Sequence, residues 1–126
     1  MIATEAVELV AIFSGRWSNT DITYNIQNET PDLASGVQRA DMVRGMQVWA
    51  DVTPLTFTSR QGDLEADFQI FFEPGEHGDG NAFDGPSGVL AHAYFPPSAA
   101  FFHPLNGDAH FDEDEFWTSE SANGWI

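Results

Sequence analysis

Hydrophobic and polar residues alternate along residues 21–27 (DITYNIQ), so that Ile22, Tyr24 and Ile26 share one face. A period of two residues is typical of a β-strand that buries one face and exposes the other. Residues 66–73 (ADFQIFFE) are rich in aromatic and apolar side chains, which favours an inner strand. The pattern therefore predicts a sheet that contains both segments.

A helical period replaces this alternation in residues 36–52 (GVQRADMVRGMQVWADV). Met42, Gly45, Met46 and Trp49 recur at intervals of three or four positions, which places them on one face of a helix. The period therefore predicts one long helix.

Short extended segments complete the pattern. Residues 54–59 form one, residues 89–95 (VLAHAYF) alternate again, and residues 108–117 (DAHFDEDEFW) form a short strand that runs into a cluster of carboxylates. A long loop with Gly, Asp and Pro at residues 74–88 separates two of the predicted strands. The order strand, helix, strands predicts an α+β fold, in which one long helix packs on a twisted mixed β-sheet.

The bulk composition limits the class of protein. A chain of 126 residues, of which 42% are hydrophobic, is long enough for one domain with a modest core. No stretch is apolar enough to span a bilayer. The apolar start carries Glu5 and Glu8 and no basic residues, so we do not predict a signal peptide. We assign residues 1–12 to an N-terminal extension and residues 13–126 to a single domain.

The charge balance excludes two classes of partner. Acidic residues number 20 against 4 basic ones, and the formal net charge is −16, so the surface repels nucleic acid and anionic membranes. Two interpretations remain open: the acids bind hard cations, or the chain is adapted to a salty medium that screens them. The acids cluster beside glycines and turn residues, which favours the first interpretation.

Three histidines and one aspartate have the spacing of a zinc site. His77 and Asp79 form an H-x-D pair in a loop, and His92 and His110 lie on two later strands. The chain has no cysteine, so any zinc must be held by imidazole and carboxylate groups. Four such ligands fill a tetrahedral shell and leave no position for substrate, as in a structural site. The alternative is four unrelated polar residues, since an H-x-D pair alone is a weak signal.

Two acidic turns have the composition of calcium sites. FDGPSGV places Asp84 in a tight loop whose backbone carbonyls can turn inward, and FDEDE supplies Asp112 and Glu115. Calcium combines carboxylates with main-chain carbonyls, about six to eight oxygens in all. A solvated acidic turn that binds nothing is the commoner outcome for such sequences, so the residues alone leave both interpretations open.

Segments in a fixed order carry a resemblance to a known family: ITYNIQNETPDL, VWADVTPLTF, EADFQIFF, EHGDGNAFDGPSGVLAHAYFPP and NGDAHFDEDEFWT. Together they resemble the catalytic domain of the matrix metalloproteinases (matrixins) of the metzincin clan, over residues 13–118. The resemblance implies that residues 13–126 are the upper subdomain of a truncated matrixin-like catalytic domain, pinned by structural zinc and calcium. It also implies a secreted, extracellular protein.

The resemblance implies ligands for one zinc ion and for a first, a second and a third calcium ion. The zinc ligands match His77, Asp79, His92 and His110. The first calcium matches the carboxylates of Asp84, Asp112 and Glu115 and the carbonyls of Gly85, Ser87 and Val89. The second matches the carboxylates of Asp67 and Asp108 and the carbonyls of Pro104 and Asn106. The third matches Asp32, Glu113 and Glu115.

The sequence departs from the family in two respects. The segment between His92 and His110 is longer than usual and contains SAAFFH, which introduces His103 as either a solvent-exposed loop residue or an additional zinc ligand. The catalytic motif H-E-x-x-H-x-x-G-x-x-H, whose histidines bind zinc and whose glutamate is the general base, is absent: the chain has no His-Glu dipeptide. We therefore expect scaffold metals and no proteolysis by this chain alone.

Several functions remain compatible with such a chain. The catalytic segment could have been excised or could be supplied separately, which would make the chain half of a hydrolase. The chain could instead be a calcium- and zinc-stabilised extracellular module that binds protein or peptide, or a new hydrolase that uses His103. On the predicted edge strand, free backbone groups of Leu90 and Ala91 would accept an extended peptide.

Loss of the catalytic helix has a consequence for association. It would bare an apolar face that includes Tyr94, Phe95 and Trp117, and exposed patches of this kind drive association. We therefore expect a homo-oligomer that buries this face. A monodisperse monomer at high concentration in light scattering would contradict this expectation.

Overall fold

The computed structural model describes residues 15–98 and 104–119. These residues form β1 (Asp21–Ile26), α1 (Val37–Ala50), β2 (Thr56–Ser59), β3 (Phe68–Glu73), β4 (Ala91–Ala93) and β5 (Ala109–Asp112). The predicted α+β class with one long helix is confirmed. The predictions for residues 1–12 and for His103 lie outside the described residues. In the part of the chain that is described, no helix has the length and apolar character needed to cross a membrane.

The strands form one mixed sheet in the order β2-β1-β3-β5-β4. β1 pairs in parallel with β2 and β3, and β3 pairs in parallel with β5. β4 runs antiparallel to β5, with His92 opposite His110. β4 is therefore an edge strand, and its register brings two predicted metal ligands directly across from each other.

The core lies between α1 and the sheet. Tyr24, Ile26 and Ile70 form its buried centre, and Met42 and Met46 of α1 pack against them. The alternation in β1 directs its apolar side chains into this core, as predicted. β3 lies between β1 and β5, which confirms that it is an inner strand.

The helix uses only part of its predicted apolar face. Trp49 is 64% exposed, and Val48 and Val52 beside it are exposed as well, so the end of this face does not pack on the sheet. Of the strands, α1 lies closest to β2, which forms the edge of the sheet. The last turn of the helix consequently has no further strand to cover.

β4 (Ala91–Ala93) is shorter than the predicted extended segment 89–95 and begins two residues later. The N–H of Asp112 donates to the carbonyl of Leu90 at 2.9 Å. This carbonyl is therefore not free to bind a peptide, and that part of the prediction is wrong. Ala91 lies between hydrogen-bonded positions of the antiparallel pair, and the backbone groups of such a residue point away from the partner strand. In β4 they point to the open edge of the sheet.

Candidate metal centre

Four ligand atoms from three parts of the chain meet in the structure: His77 Nε2, Asp79 Oδ2, His92 Nε2 and His110 Nδ1. The nitrogens lie 3.0–3.3 Å from one another, and Asp79 Oδ2 lies 2.7–3.0 Å from each of them. We call these four side chains the zinc cage. The fold thus brings together all four residues that the sequence predicts as zinc ligands.

The distances within the zinc cage describe a tetrahedron. Atoms at the corners of a square could not have six similar separations, because the diagonals exceed the edges by about 40%, so square-planar metals such as Cu(II) fit poorly. A zinc ion bonded to four such atoms at about 2.0–2.1 Å separates them by about 3.3 Å. The zinc cage is slightly tighter than this, and a small outward movement of the ligands fits it to zinc.

The loop before β4 turns sharply to deliver His77 and Asp79. Gly78 and Gly80, on either side of Asp79, have φ angles of +88° and +80°, a backbone conformation that glycine adopts at no steric cost. The Nδ1–H of His77 can donate to the carbonyl of Gly75, 2.8 Å away. This bond favours the tautomer whose Nε2 is free to bind a metal.

Aromatic rings shield the zinc cage from solvent. Three of its four side chains are at most 2% exposed, and His92 is 23% exposed. Phe83 stacks on His77 and on His92, with ring centroids 4.7 Å apart in both pairs. Phe71 packs on His110 at 4.0 Å. The site is thus largely shielded from solvent, as expected for a structural metal.

The protonation states of the zinc cage suit a cation. Burial opposes ionisation of Asp79, but hydrogen bonds from the N–H of Asn81, from the hydroxyl of Tyr94 and from two of the histidines hold the pKa of this carboxyl well below its usual range. Burial lowers the pKa of His110, although the carboxylate of Asp79 opposes this shift. At neutral pH a carboxylate therefore faces a neutral imidazole, and both are competent metal ligands.

The loop of the first predicted calcium site folds tightly around Asp84. Gly85, Ser87 and Gly88 have φ angles of +82°, +66° and +90°, and Ser87 is the unusual one because it carries a side chain. The N–H of Val89 donates to Oδ1 of Asp84 at 3.1 Å. The backbone therefore holds this carboxylate against the turn.

The other two carboxylates predicted for this site have buried oxygens that lack partners. Asp112 is fully buried, and among the described residues neither its Oδ2 nor Oε1 of Glu115 has a hydrogen-bond partner. In the same part of the chain, the zinc cage is the one group of three or more metal-binding side chains whose ligand atoms converge within 4.8 Å. The predicted calcium carboxylates do not converge to that distance.

Three of the ligands predicted for the second calcium line one cavity. Asp67, Pro104 and Asn106 surround a space of about 380 Å³. The fourth, Asp108, is buried and accepts a hydrogen bond from the N–H of Gln69 at 2.8 Å. Burial raises the pKa of Asp108 to about 6. A cation nearby would favour the charged form of this carboxyl.

The third predicted set joins an early loop to the segment after β5. Asp32 Oδ2 accepts from the N–H of Trp117, and Glu113 Oε1 accepts from the hydroxyl of Thr30, both at 2.8 Å. Burial raises the pKa of Glu113 against the effect of the Thr30 bond, and the charge of Asp32 raises it further. These two acids therefore repel each other, a cost that a bound cation would remove.

Two residues that the sequence did not predict for the metal site donate hydrogen bonds to the zinc cage. The hydroxyl of Tyr94 donates to Asp79 Oδ2 at 2.7 Å, and the N–H of Asn81 donates to Asp79 Oδ1 at 2.8 Å. The alternation that places Tyr94 and His92 on one side of the strand is the signal that points to Tyr94. No comparable signal marks Asn81.

Known proteins are similar in sequence to this chain over most of its length. The matrixin family profile matches residues 16–125. The chain is 47% identical to interstitial collagenase of Bos taurus over 82% of the chain, 49% identical to stromelysin-1 of Equus caballus over 85%, and 45% identical to matrix metalloproteinase-18 of Xenopus laevis over 86%. It spans 21–22% of the length of these relatives. The family match and the zinc cage together establish that the chain belongs to the matrixin family of metalloproteases.

Proposed function

We propose that this part of a matrixin binds one structural zinc ion and several calcium ions and does not hydrolyse peptides by itself. The tetrahedral arrangement of His77, Asp79, His92 and His110 is the observation that carries the proposal. Zinc bound there cross-links the loop before β4 to β4 and β5, and four protein ligands leave no position for a reacting water. The sequence has no His-Glu dipeptide from which to build the catalytic zinc site.

Two buried carboxylate oxygens without hydrogen-bond partners among the described residues support the calcium part of the proposal. The unpartnered oxygens of Asp112 and Glu115 carry a large desolvation cost unless a cation balances it. Calcium prefers oxygen ligands of this kind. One zinc and three calcium ions would supply about eight positive charges, half of the acid excess that gives the net charge of −16. The three calcium ligand sets that the family resemblance implies are retained in this proposal.

The edge strand β4 supports a second, weaker function, the binding of an extended peptide. The backbone groups of Ala91 point to the open edge, and the side chain of Leu90 is 51% exposed beside it. A peptide can add to such an edge by main-chain hydrogen bonds. Hydrolysis of that peptide would need a catalytic segment from elsewhere. We also propose an extracellular location, where calcium is concentrated enough to fill weak sites.

The predicted homo-oligomer stays a proposal, and fewer exposed apolar residues support it than the sequence predicts. Phe95 is 61% exposed. Trp117, in contrast, is only half-exposed, because it packs edge-on against Phe72 with ring centroids 5.6 Å apart and donates its indole N–H to the carbonyl of Asp112. Of the three residues predicted for this face, Phe95 is therefore the most exposed.

Thermal unfolding with and without metals tests the proposal. We expect chelation with EDTA to lower the Tm, zinc alone to restore part of the loss, and calcium to restore the rest, since ions that bind only the folded chain stabilise it. The variant His92→Ala should lose the response to zinc and keep the response to calcium. His103→Ala is the matched control and should keep both responses.

Two results would contradict the proposal. One is a Tm that does not respond to chelation, and the other is loss of the zinc response in His103→Ala. The metal-loaded chain should also leave a quenched peptide substrate intact, and cleavage that EDTA abolishes would refute the statement that the chain is not proteolytic alone.

A further inference from the structure

The hydroxyl of Tyr94 lies between Asn81 and Asp79. It donates to Asp79 Oδ2 at 2.7 Å and accepts from the side-chain amide of Asn81 at 2.8 Å. The N–H of Asn81 donates to the other carboxylate oxygen, Asp79 Oδ1, at 2.8 Å. Both oxygens are therefore held, and the oxygen that Tyr94 contacts is the one that faces the three histidine nitrogens.

The sheet fixes the position of Tyr94. The backbone N–H of Tyr94 donates to the carbonyl of Asp108 at 2.9 Å, which continues the pairing of β4 with β5. The ring centroid lies 5.8 Å from that of His92 and 5.5 Å from that of His110. A phenylalanine would keep this packing and lose only the hydroxyl, so a single substitution isolates the hydrogen bond.

We propose that Tyr94 is a positioning residue of the zinc site, whose hydroxyl orients the Asp79 carboxylate toward the metal. The inference rests on the proposed zinc binding. Without this bond, the N–H of Asn81 on Oδ1 is the remaining outer hydrogen bond to the carboxylate, and Oδ2 loses the donor that fixes its direction toward the three nitrogens. Outer hydrogen bonds to metal ligands are worth about 10–100-fold in metal affinity. Because Tyr94 follows β4 and Asn81 lies in the preceding loop, the same bonds tie that loop to the edge strand.

The zinc affinity of the whole chain, measured by competition with a chromogenic chelator, tests this proposal. We expect Tyr94→Phe to bind zinc about 10–100-fold more weakly than the parent. Tyr24→Phe is the matched control, because it removes the other tyrosine hydroxyl of the chain, in the core, and should leave the affinity unchanged. Equal affinities of Tyr94→Phe and the parent would overturn the role of Tyr94. A parent chain that binds no zinc would instead overturn the proposed function, and the inference with it.

Cobalt(II) in place of zinc distinguishes positioning from general loss of stability. We expect the visible absorption of the cobalt-loaded chain to change in Tyr94→Phe while its far-ultraviolet circular dichroism stays that of the parent, because the ligand geometry alone is altered. Asn81→Ala removes the amide contact to Tyr94 and should weaken zinc binding in the same direction by a smaller factor. Should Tyr94→Phe fail to fold, an unchanged zinc affinity in Asn81→Ala would overturn the proposal.

Discussion

At the scale of single residues, the turn around Asp84 depends on the absence of a side chain at Gly88. This glycine has a φ angle of +90°, and a Cβ built on it would lie 2.3 Å from Asp84 Oδ2. The carboxylate would have to move, and moving it would alter the first predicted calcium site. A side chain at a positive φ angle also costs about 1 kcal/mol or more in backbone strain.

We therefore predict that Gly88→Ala weakens calcium binding, as measured by isothermal titration calorimetry, and lowers the free energy of unfolding. Gly62→Ala is the control, because Gly62 has a similar φ angle of +82° with nothing within 4 Å of the added Cβ. It should cost stability and leave calcium binding intact. Parent-like calcium binding by Gly88→Ala would count against a calcium ion at Asp84.

The zinc cage could be predicted from the sequence because of its residue types. The hydrogen bonds that Asn81 and Tyr94 donate to Asp79 could not be predicted. His92 and His110 lie on short strands that the pattern predicts. His77 and Asp79 are two positions apart, so they lie close together in any conformation of the loop. The bonds of Asn81 depend instead on the path of the loop, which no periodicity encodes. The calcium ligands were assigned by resemblance, and no described contact tests them.

At the scale of elements, α1 carries a glycine that no contact among the described residues requires. Gly45 lies in the middle of the helix, and a Cβ added there would meet no described atom within 4 Å. Alanine in a helix interior is more favourable than glycine by about 0.5–1 kcal/mol. We predict that Gly45→Ala raises the free energy of unfolding in urea by about this amount.

Gly107→Ala provides the opposite case in the same urea experiment. A Cβ at Gly107 would lie 2.5 Å from the ring of Trp17, and the φ angle is +85°, so we expect the free energy of unfolding to fall by more than about 1 kcal/mol.

A parent-like or lower stability for Gly45→Ala would show that this face of α1, next to Asp41 and Val48, is covered and not open.

The positions of the elements followed from periodicity, but their extent and pairing did not. The apolar alternation of β1 and the aromatic run of β3 place both strands correctly. Helical spacing also groups Trp49 with Met42 and Met46, yet it carries no information on how far the sheet extends beneath the helix. The strand order and the parallel pairing arise from long-range contacts, which a local pattern does not contain.

At the scale of the whole molecule, the proposed cation binding bears on how so acidic a chain can fold. Its 20 acidic residues include Asp108 and Asp112 in buried positions, and the region covers about a fifth of the length of its relatives. In the proposed function, bound cations would offset the desolvation of these acids and connect loops that the small core does not hold. In the proposed function, the metals are part of the scaffold.

The most direct test of this central claim is the metal content of the purified chain, measured by elemental mass spectrometry after desalting without chelator. The account predicts about one zinc and two or three calcium ions per chain. A chain without zinc would show that the zinc cage does not bind it. Two zinc ions per chain would contradict the account by revealing a second zinc site, and His103 would be the first ligand to examine there.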